Sequence, residues 1–226
     1  MFTNTDLNVI LDKRLSEIYS QILPCDTLAD IGCDHGFICV KALIEKKANF
    51  AIGADISFKS LNKAIKLSAE AGVEQNFKAV VSDGFDNVGC FDTAVIAGMG
   101  GSEIISILKK ADVKDKRLIL VPHKNPEKLR EYLFQNEYPL VKDYVVADGK
   151  FFYNVLVSDK NFFKPFEYKD VYRYVGFSNK ASEPDFALYL KRQKSVLAKI
   201  ASSCTEQDKL SEINKISEYL MEAEKW

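Results

Sequence analysis

The chain has almost no net charge, few histidines and no pairing pattern among its cysteines. Thirty-one Lys and Arg stand against 32 Asp and Glu, a net charge of −1. The surface as a whole is therefore not the basic coat of a general nucleic-acid binder, and any contact with a polyanion must come from a local patch. Cys25, Cys33, Cys39, Cys90 and Cys204 are odd in number and show no C-x-x-C spacing, while His35 and His123 lie far apart in sequence. Neither a disulfide framework nor a metal site is supported. No run of about 18 apolar residues is free of charge, and the opening MFTNTDLNVILDKR carries no basic stretch ahead of an apolar core. Both absences predict a cytoplasmic protein without leader or membrane span.

What is present reads as a globular enzyme-sized chain: 226 residues, 47% hydrophobic and 28% charged, enough for one full α/β domain with an appendage. From Thr27 to about Leu120, short apolar runs alternate with longer amphipathic ones, the pattern of a parallel sheet covered by helices. Strands are expected at Thr27–Ile31, Phe50–Asp55, Phe77–Val81, Thr93–Ala97 and Leu118–Val121, with helices over Gly36–Lys47 and Phe58–Ala71. Tyr138–Ala147 and Phe151–Val157, joined by Asp148-Gly149-Lys150, form a hairpin that completes a seven-stranded, mostly parallel sheet. Asn161 to Pro184 is aromatic and basic without a period, a linker with one strand or short helix. Beyond it, Phe186, Leu190, Leu197 and Cys204, then Leu210, Ile213, Ile216 and Leu220, mark two helices. Between them Thr205-Glu206-Gln207-Asp208 has the form of a capping box, so the pair should fold back on itself. The expected division is 1–160, an α/β catalytic domain, and 161–226, a linker and coiled-coil-like helical hairpin.

The chemistry concentrates at strand ends. Asp30-Ile31-Gly32-Cys33-Asp34-His35-Gly36 falls where the first strand turns into a helix. Glycines there let backbone approach a ligand, and the helix N-terminus favours an anion such as a carboxylate. A nicotinamide-binding turn would read G-x-G-x-x-G; here an acidic residue, Asp30, opens a D-x-G-x-x-x-G arrangement, which resembles the first motif of class I methyltransferases. Asp55, followed by Ile56, ends the second strand at the spacing of a carboxylate that accepts ribose hydroxyls. Asp83, in Ser82-Asp83-Gly84, can accept from an adenine amino group. Taken singly, each aspartate also fits a helix N-cap. The fourth strand ends in Ala97-Gly98-Met99-Gly100-Gly101, where bare backbone leaves room for a planar base or for a tight turn alone.

With Lys13-Arg14-Leu15 near the start, Ala29-Asp30-Ile31-Gly32 with Asp34-His35, the A-G-M-G-G run, and Tyr153 with Val155-Leu156-Val157 in the hairpin, the chain resembles the bacterial tRNA (adenine-N1)-methyltransferase family that modifies adenine 22 of tRNA. The resemblance runs to about residue 158 and more weakly beyond. It departs after the fifth strand, where Val121-Pro122-His123 replaces the expected Gln-Pro-Asn; this puts a role for His123 in doubt. It implies a Rossmann-like class I fold with a C-terminal helical extension, S-adenosylmethionine as cofactor and tRNA as partner. Asp34 is then the first catalytic candidate, offsetting charge on the methylated base. His35 binds the base or caps the helix, and Tyr153, with Phe152, stacks on the base or belongs to the core. Arg14 contacts a cofactor carboxylate or RNA. Lys191, Arg192, Lys194 and Lys199, with Lys164, Lys169, Arg173 and Lys180 upstream, form a phosphate-binding surface or a solvated face. A monomer is expected. A methyltransferase of another acceptor and a non-catalytic cofactor- or RNA-binding module are the competing readings.

Overall fold

In the computed structural model, which describes residues 9–226, every expected apolar run becomes a strand. Residues 1–8, on which the expectation of no leader partly rests, lie outside the described residues. The strands are β1 (Cys25–Ile31), β2 (Ala48–Asp55), β3 (Phe77–Val81), β4 (Thr93–Ala97), β5 (Arg117–Val121), β6 (Leu140–Asp148) and β7 (Phe151–Ser158). They form one sheet in the order β3-β2-β1-β4-β5-β7-β6, with β1 to β5 parallel and β7 antiparallel to both neighbours.

Alternation along the central strands sends side chains to two separate cores, because successive Cβ atoms point to opposite faces. In β1, β4 and β5, Leu28, Val95, Ile119 and Val121 pack on one side with Ile18 and Ile38. Ala29, Ile31, Ala94, Ile96, Leu118 and Leu120 pack on the other with Ile104, Leu129 and Leu133. Helices cover both faces: α1 (Lys13–Ser20), α2 (Phe37–Ile44), α3 (Phe58–Glu70), α4 (Gly101–Lys109) and α5 (Pro126–Gln135). Each fully buried aliphatic side chain contributes about 1.5–3 kcal/mol by leaving water, so the sandwich is the main source of stability. Expected Gly36–Lys47 proves shorter as a helix, ending at Ile44 because Lys46 turns to a φ of 55°.

The segment after β7 contains one short helix, α6 (Asp170–Val175), and no strand, followed by α7 (Pro184–Ser203) and α8 (Gln207–Ala223). The last two are antiparallel: Phe186 near the start of α7 lies against Trp226, ring centroids 6.4 Å apart, and Lys194 pairs with Glu224. The expected capping box does not form. Glu206, not Thr205, is the N-cap of α8 and its side chain caps nothing; its carboxylate instead pairs with Lys209 at 2.8 Å. Exposed there, the N–H groups of the first turn can be satisfied by water.

The helical appendage shares its core with the sheet. Val145 of β6 is buried together with Val171, Val175, Phe186, Tyr189, Leu190, Leu220 and Ala223. Beneath this cluster, Arg130 of α5 is fully enclosed and donates from Nε and Nη2 to the two carboxylate oxygens of Asp143, each at 2.8 Å. Its Nη2 also donates to Asn154 and its Nη1 to the Arg173 carbonyl, so one guanidinium ties α5, β6, β7 and α6 together. Arg130→Ala, leaving Asp143 buried without its partner, is expected to lower the unfolding free energy by about 3–5 kcal/mol; urea denaturation of the variant against wild type checks this.

Candidate active site

Parallel strands leave their ligand sites at the carboxyl edge, and the cavity here lies at that edge, where β1 and β4 lead to helices on opposite faces of the sheet. It has a volume of about 550 Å³. The turn after β1 shapes its floor. Gly32 and Cys33 both donate their N–H to the Ala54 carbonyl, at 2.7 and 3.1 Å, and Gly36 closes back on the Cys33 carbonyl at 2.8 Å. Gly32 sits at a φ of 77°, and a Cβ on it would lie 2.5 Å from the Met99 methyl. Gly36, at a φ of 71°, would drive a Cβ to 2.6 Å from Ala64 of α3. Both positions need glycine for conformation, and Gly36 needs it also for space, whereas the methyl facing Gly32 is the free end of a flexible side chain.

Asp30 is the charge at the centre. It is buried beneath the turn, and enclosure, then the neighbouring Asp55 carboxylate, push its pKa up to about 7, while Arg14 opposes the shift. Arg14 is the second residue of α1, whose N-cap Asp12 accepts from the Leu15 N–H at 2.7 Å. It lines the cavity, and its guanidinium lies 5.6 Å from the ring centre of Tyr153. Tyr153 itself does not line the cavity. Its strand, β7, is two places from β4 in the sheet, and the ring reaches the site through Arg14.

Asp55 ends β2 and accepts from the Ser57 N–H at 2.8 Å, with Ile56 exposed beside it. The two border a second recess of about 230 Å³ that holds Asp83, Gly84, Met99 and Lys110. Asp83 is exposed and ion-paired with Lys110, which caps the C-terminus of α4. Ala97, Gly98 and Met99 form the opposite wall; Gly98 has a φ of 79° and open space where a Cβ would stand. Gly100 caps α4, and this loop is held by the β5 extension, His123 donating its backbone N–H to the Met99 carbonyl at 2.9 Å. His123 thus fixes the wall by its backbone, with its side chain outside the lining.

Asp34 is not a free carboxylate. It occupies the left-handed region at a φ of 43° and accepts from Lys63 Nζ of α3 at 2.9 Å. That hydrogen bond holds its pKa below the usual carboxylate range, outweighing partial desolvation. The same ammonium lies 3.2 Å from His35 Nε2, and the His35 ring stacks on Phe37, centroids 5.2 Å apart and planes within 2°. Cys33 is buried, and enclosure beside Asp30 pushes its thiol well up, away from nucleophilic use.

The structure therefore brings Arg14, Asp30, Gly32, Cys33, Asp34, His35, Asp55, Ile56, Ala97, Gly98 and Met99 to one cavity and Asp83 and Gly84 to its neighbour. Sequence reasoning missed Asp12, Phe37 and Lys63. A polar residue one turn ahead of the Leu15-Ile18 stripe was a legible N-cap signal for Asp12. Lys63 carried no signal, since its partner is 29 residues away. Among the described residues no group of three or more His, Cys, Asp or Glu is placed to hold a metal ion, and no helix is long and apolar enough to cross a membrane.

This strand order, with an acidic glycine turn after β1 and carboxylates ending β2 and following β3, defines a class I methyltransferase. The family model described as a methyltransferase domain matches residues 11–156. The tRNA (adenine(22)-N(1))-methyltransferase of Bacillus subtilis is 31% identical over 156 residues, 66% of this chain and 65% of that protein. A Mycoplasma pneumoniae protein named for tRNA methyltransferase activity is also 31% identical, over 66% of this chain and 72% of its own. The solved B. subtilis m1A22 tRNA methyltransferase superposes with a TM-score of 0.74 at 25% identity, covering 96% of this chain and all of that one. The chain belongs to the methyltransferase-domain family, among relatives named for tRNA methylation.

The turn predicts the behaviour of two variants. Gly32→Ala should weaken cofactor binding at least tenfold by calorimetry, since its φ of 77° strains any residue with a Cβ. Asp30, with a folded pKa raised above its unfolded value, contributes stability that is lost as pH rises from about 4 through about 7. Asp30→Asn should flatten that fall in denaturation profiles, and an unchanged slope would reject the assignment of the pH dependence to Asp30.

Proposed function

We propose that the chain transfers the methyl group of S-adenosylmethionine to N1 of an adenine in tRNA, at position 22 by its relatives' names. The observation that carries this reading is the cavity itself, whose floor is a glycine turn over a buried aspartate and whose wall is side-chain-free backbone at Gly98. The residues fit the cofactor. The exposed N–H groups at the start of α2 and the Arg14 guanidinium suit its carboxylate, and Asp30, when ionised, suits its ammonium. Asp55 beside Ile56 suits ribose hydroxyls, and Asp83 with Gly84 lies in the recess that suits adenine. Gly36 acts by allowing the turn, and Cys33 by closing its floor.

Bound S-adenosylmethionine supplies an electrophilic methyl group on a sulfonium. N1 of adenine has an in-plane lone pair, so the protein need not remove a proton before attack; its task is to orient the base and stabilise the charge that develops. Asp34, kept ionised by Lys63, offsets that charge. His35 with Phe37 offers a flat face to the base. Ala97 to Gly100 leave room for its edge, and Tyr153 steadies Arg14.

An adenine in a folded RNA must be unstacked to present N1, which calls for a grip on the surrounding backbone. Strand β7 runs antiparallel to β5, so the Gly149-Lys150 turn lies on the same sheet edge as the cavity. Helix α7 passes it, Asp185 accepting from the Ala147 N–H and Arg192 donating to the Lys150 carbonyl. The remainder of α7, residues 193–203, continues past that edge for about 16 Å. Lys191 and Lys199 of α7 are exposed and make no ion pair among the described residues. Lys194 is paired to Glu224, and Arg192 is held against Lys150 and Phe152. The division at residue 160 is thus a division of labour: 1–160 for chemistry, 161–226 for RNA. A monomer working in the cytoplasm, where tRNA is processed, completes the reading.

The deciding test is transfer of labelled methyl to unmodified tRNA followed by digestion to nucleosides. N1-methyladenosine is expected, and label on another base or none at all would overturn the proposal. Asp34→Ala should retain cofactor affinity and lose most turnover. Lys191→Ala with Lys199→Ala should weaken tRNA binding several-fold and reduce its salt dependence, with cofactor affinity unchanged.

A further inference from the structure

A further groove, also of about 230 Å³, borders the His35–Phe37 pair and is lined by His35, Phe37, Lys63, Lys66, Leu67 and Glu70. His35 and Phe37 also line the main cavity, so the two spaces share one aromatic wall. The wall is open: Phe37 retains 37% of its exposure and the His35 side chain 46%. An apolar ring left at the surface beside a reaction cavity is a candidate contact.

Two of its lining residues belong to a row of cations. Lys59, Lys63 and Lys66 recur at i, i+4 and i+7 along α3, which puts them on one face of the helix. The row spans about 10 Å at helical rise. Lys63 is committed to Asp34 at 2.9 Å, but Lys66 is 78% exposed and its contact with Glu70 is long, at 3.7 Å. An exposed pair of that kind is worth about 0–1 kcal/mol, so a phosphate can replace Glu70 at little cost. Nothing in α3 packing requires the lysines: the helix buries Leu61, Ala64 and Ser68 on its opposite side.

We propose that this groove is the subsite for the nucleotide next to the target adenine, taking its base against the His35–Phe37 face and its phosphates along Lys59 and Lys66. The inference rests on RNA being the substrate and adds where the strand runs. A base drawn out of its stack leaves its neighbour with one face uncovered. An aromatic face supplies a sequence-tolerant replacement worth about 1–3 kcal/mol per base. Cations flanking such a face match a nucleotide, with a flat ring at one end and an anion at the other. The strand would then cross the sheet edge from the α7 arm, past the main cavity, to α3, and be held on both sides of the reacting base.

The test is the double variant Lys59→Gln, Lys66→Gln, assayed beside wild type for cofactor affinity, salt-dependent tRNA binding and methyl transfer. The expected result is an unchanged cofactor affinity, a KM for tRNA raised about tenfold, and a log–log salt slope lowered by about 1–2, roughly one unit for each phosphate that is no longer neutralised. Wild-type transfer to tRNA with unchanged KM and slope in the variant overturns the groove while leaving the activity standing. Failure of the wild type to methylate any tRNA overturns both. Loss of cofactor affinity in the variant would place the two lysines in the cofactor site and also overturn the assignment.

Discussion

The cavity depends on how closely the turn after β1 can approach its neighbours. Two successive N–H groups, from Gly32 and Cys33, converge on the single carbonyl of Ala54. That pins the turn to the end of β2 and allows no side chain between them. The constraint is transmitted outward. Gly53 on β2 has no room for a Cβ because Cys33 Sγ and the Phe77 ring stand within 3 Å of where it would be. Gly36 has none because α3 lies against it. Three glycines therefore let this turn lie against its neighbours, and the helix that follows begins at the cavity, with Phe37 and Ile38 in its lining.

Such packing has an electrostatic consequence. Asp30 is carried beneath the turn as part of the same backbone, where it loses water and faces Asp55, and its proton is held to about pH 7. A group in that state responds to whatever cation shares the cavity, and Arg14 is the one that the fold provides. Its placement is set from outside the cavity. Asp12 caps α1, the next residue, Lys13, pairs with Asp185 of α7 at 3.0 Å, and Tyr153 lies beside the guanidinium. The same Asp185 oxygen accepts the Ala147 N–H. The residue that opposes the charge on Asp30 is thus braced by the hairpin and by the base of the C-terminal arm.

Sequence patterning reached the strands because each is short, apolar and bounded by turn residues, so that period and punctuation agree. Phe77–Val81 and Thr93–Ala97 match to the residue. It reached the cavity residues that sit in the chain at strand ends, since the parallel topology carries every such end to one edge. It could not reach contacts that depend on how helices lie on the sheet. Lys63 and Lys110 reach Asp34 and Asp83 from α3 and the end of α4 across gaps of 29 and 27 residues. Tyr153 was legible as a hairpin aromatic, but its distance from the cavity follows from β5 standing between β7 and β4. The misplaced cap of α8 has a local cause: Thr205-x-x-Asp208 ends in a side chain shorter than the Glu or Gln that closes a capping box, and Glu206 takes the cap position.

The same reasoning explains why a sequence boundary near residue 160 is not a boundary in packing. Composition changes there because the chain leaves the sheet, yet Val145 and Phe152 of the hairpin are covered by α6, α7 and α8. Arg130 and Asp143 form a buried pair whose remaining hydrogen bonds come from both sides of that point, Asn154 before it and Arg173 after it. Gly176 comes so close to Asp143 that a Cβ would stand 2.6 Å from its carbonyl oxygen. A buried ion pair tied by this many hydrogen bonds tolerates little relative displacement. An arm anchored in this way can extend beyond the sheet edge and still present its lysines at a fixed distance from the cavity. A projecting helical pair needs that rigidity if it is to hold one nucleotide of a folded RNA over one methyl group.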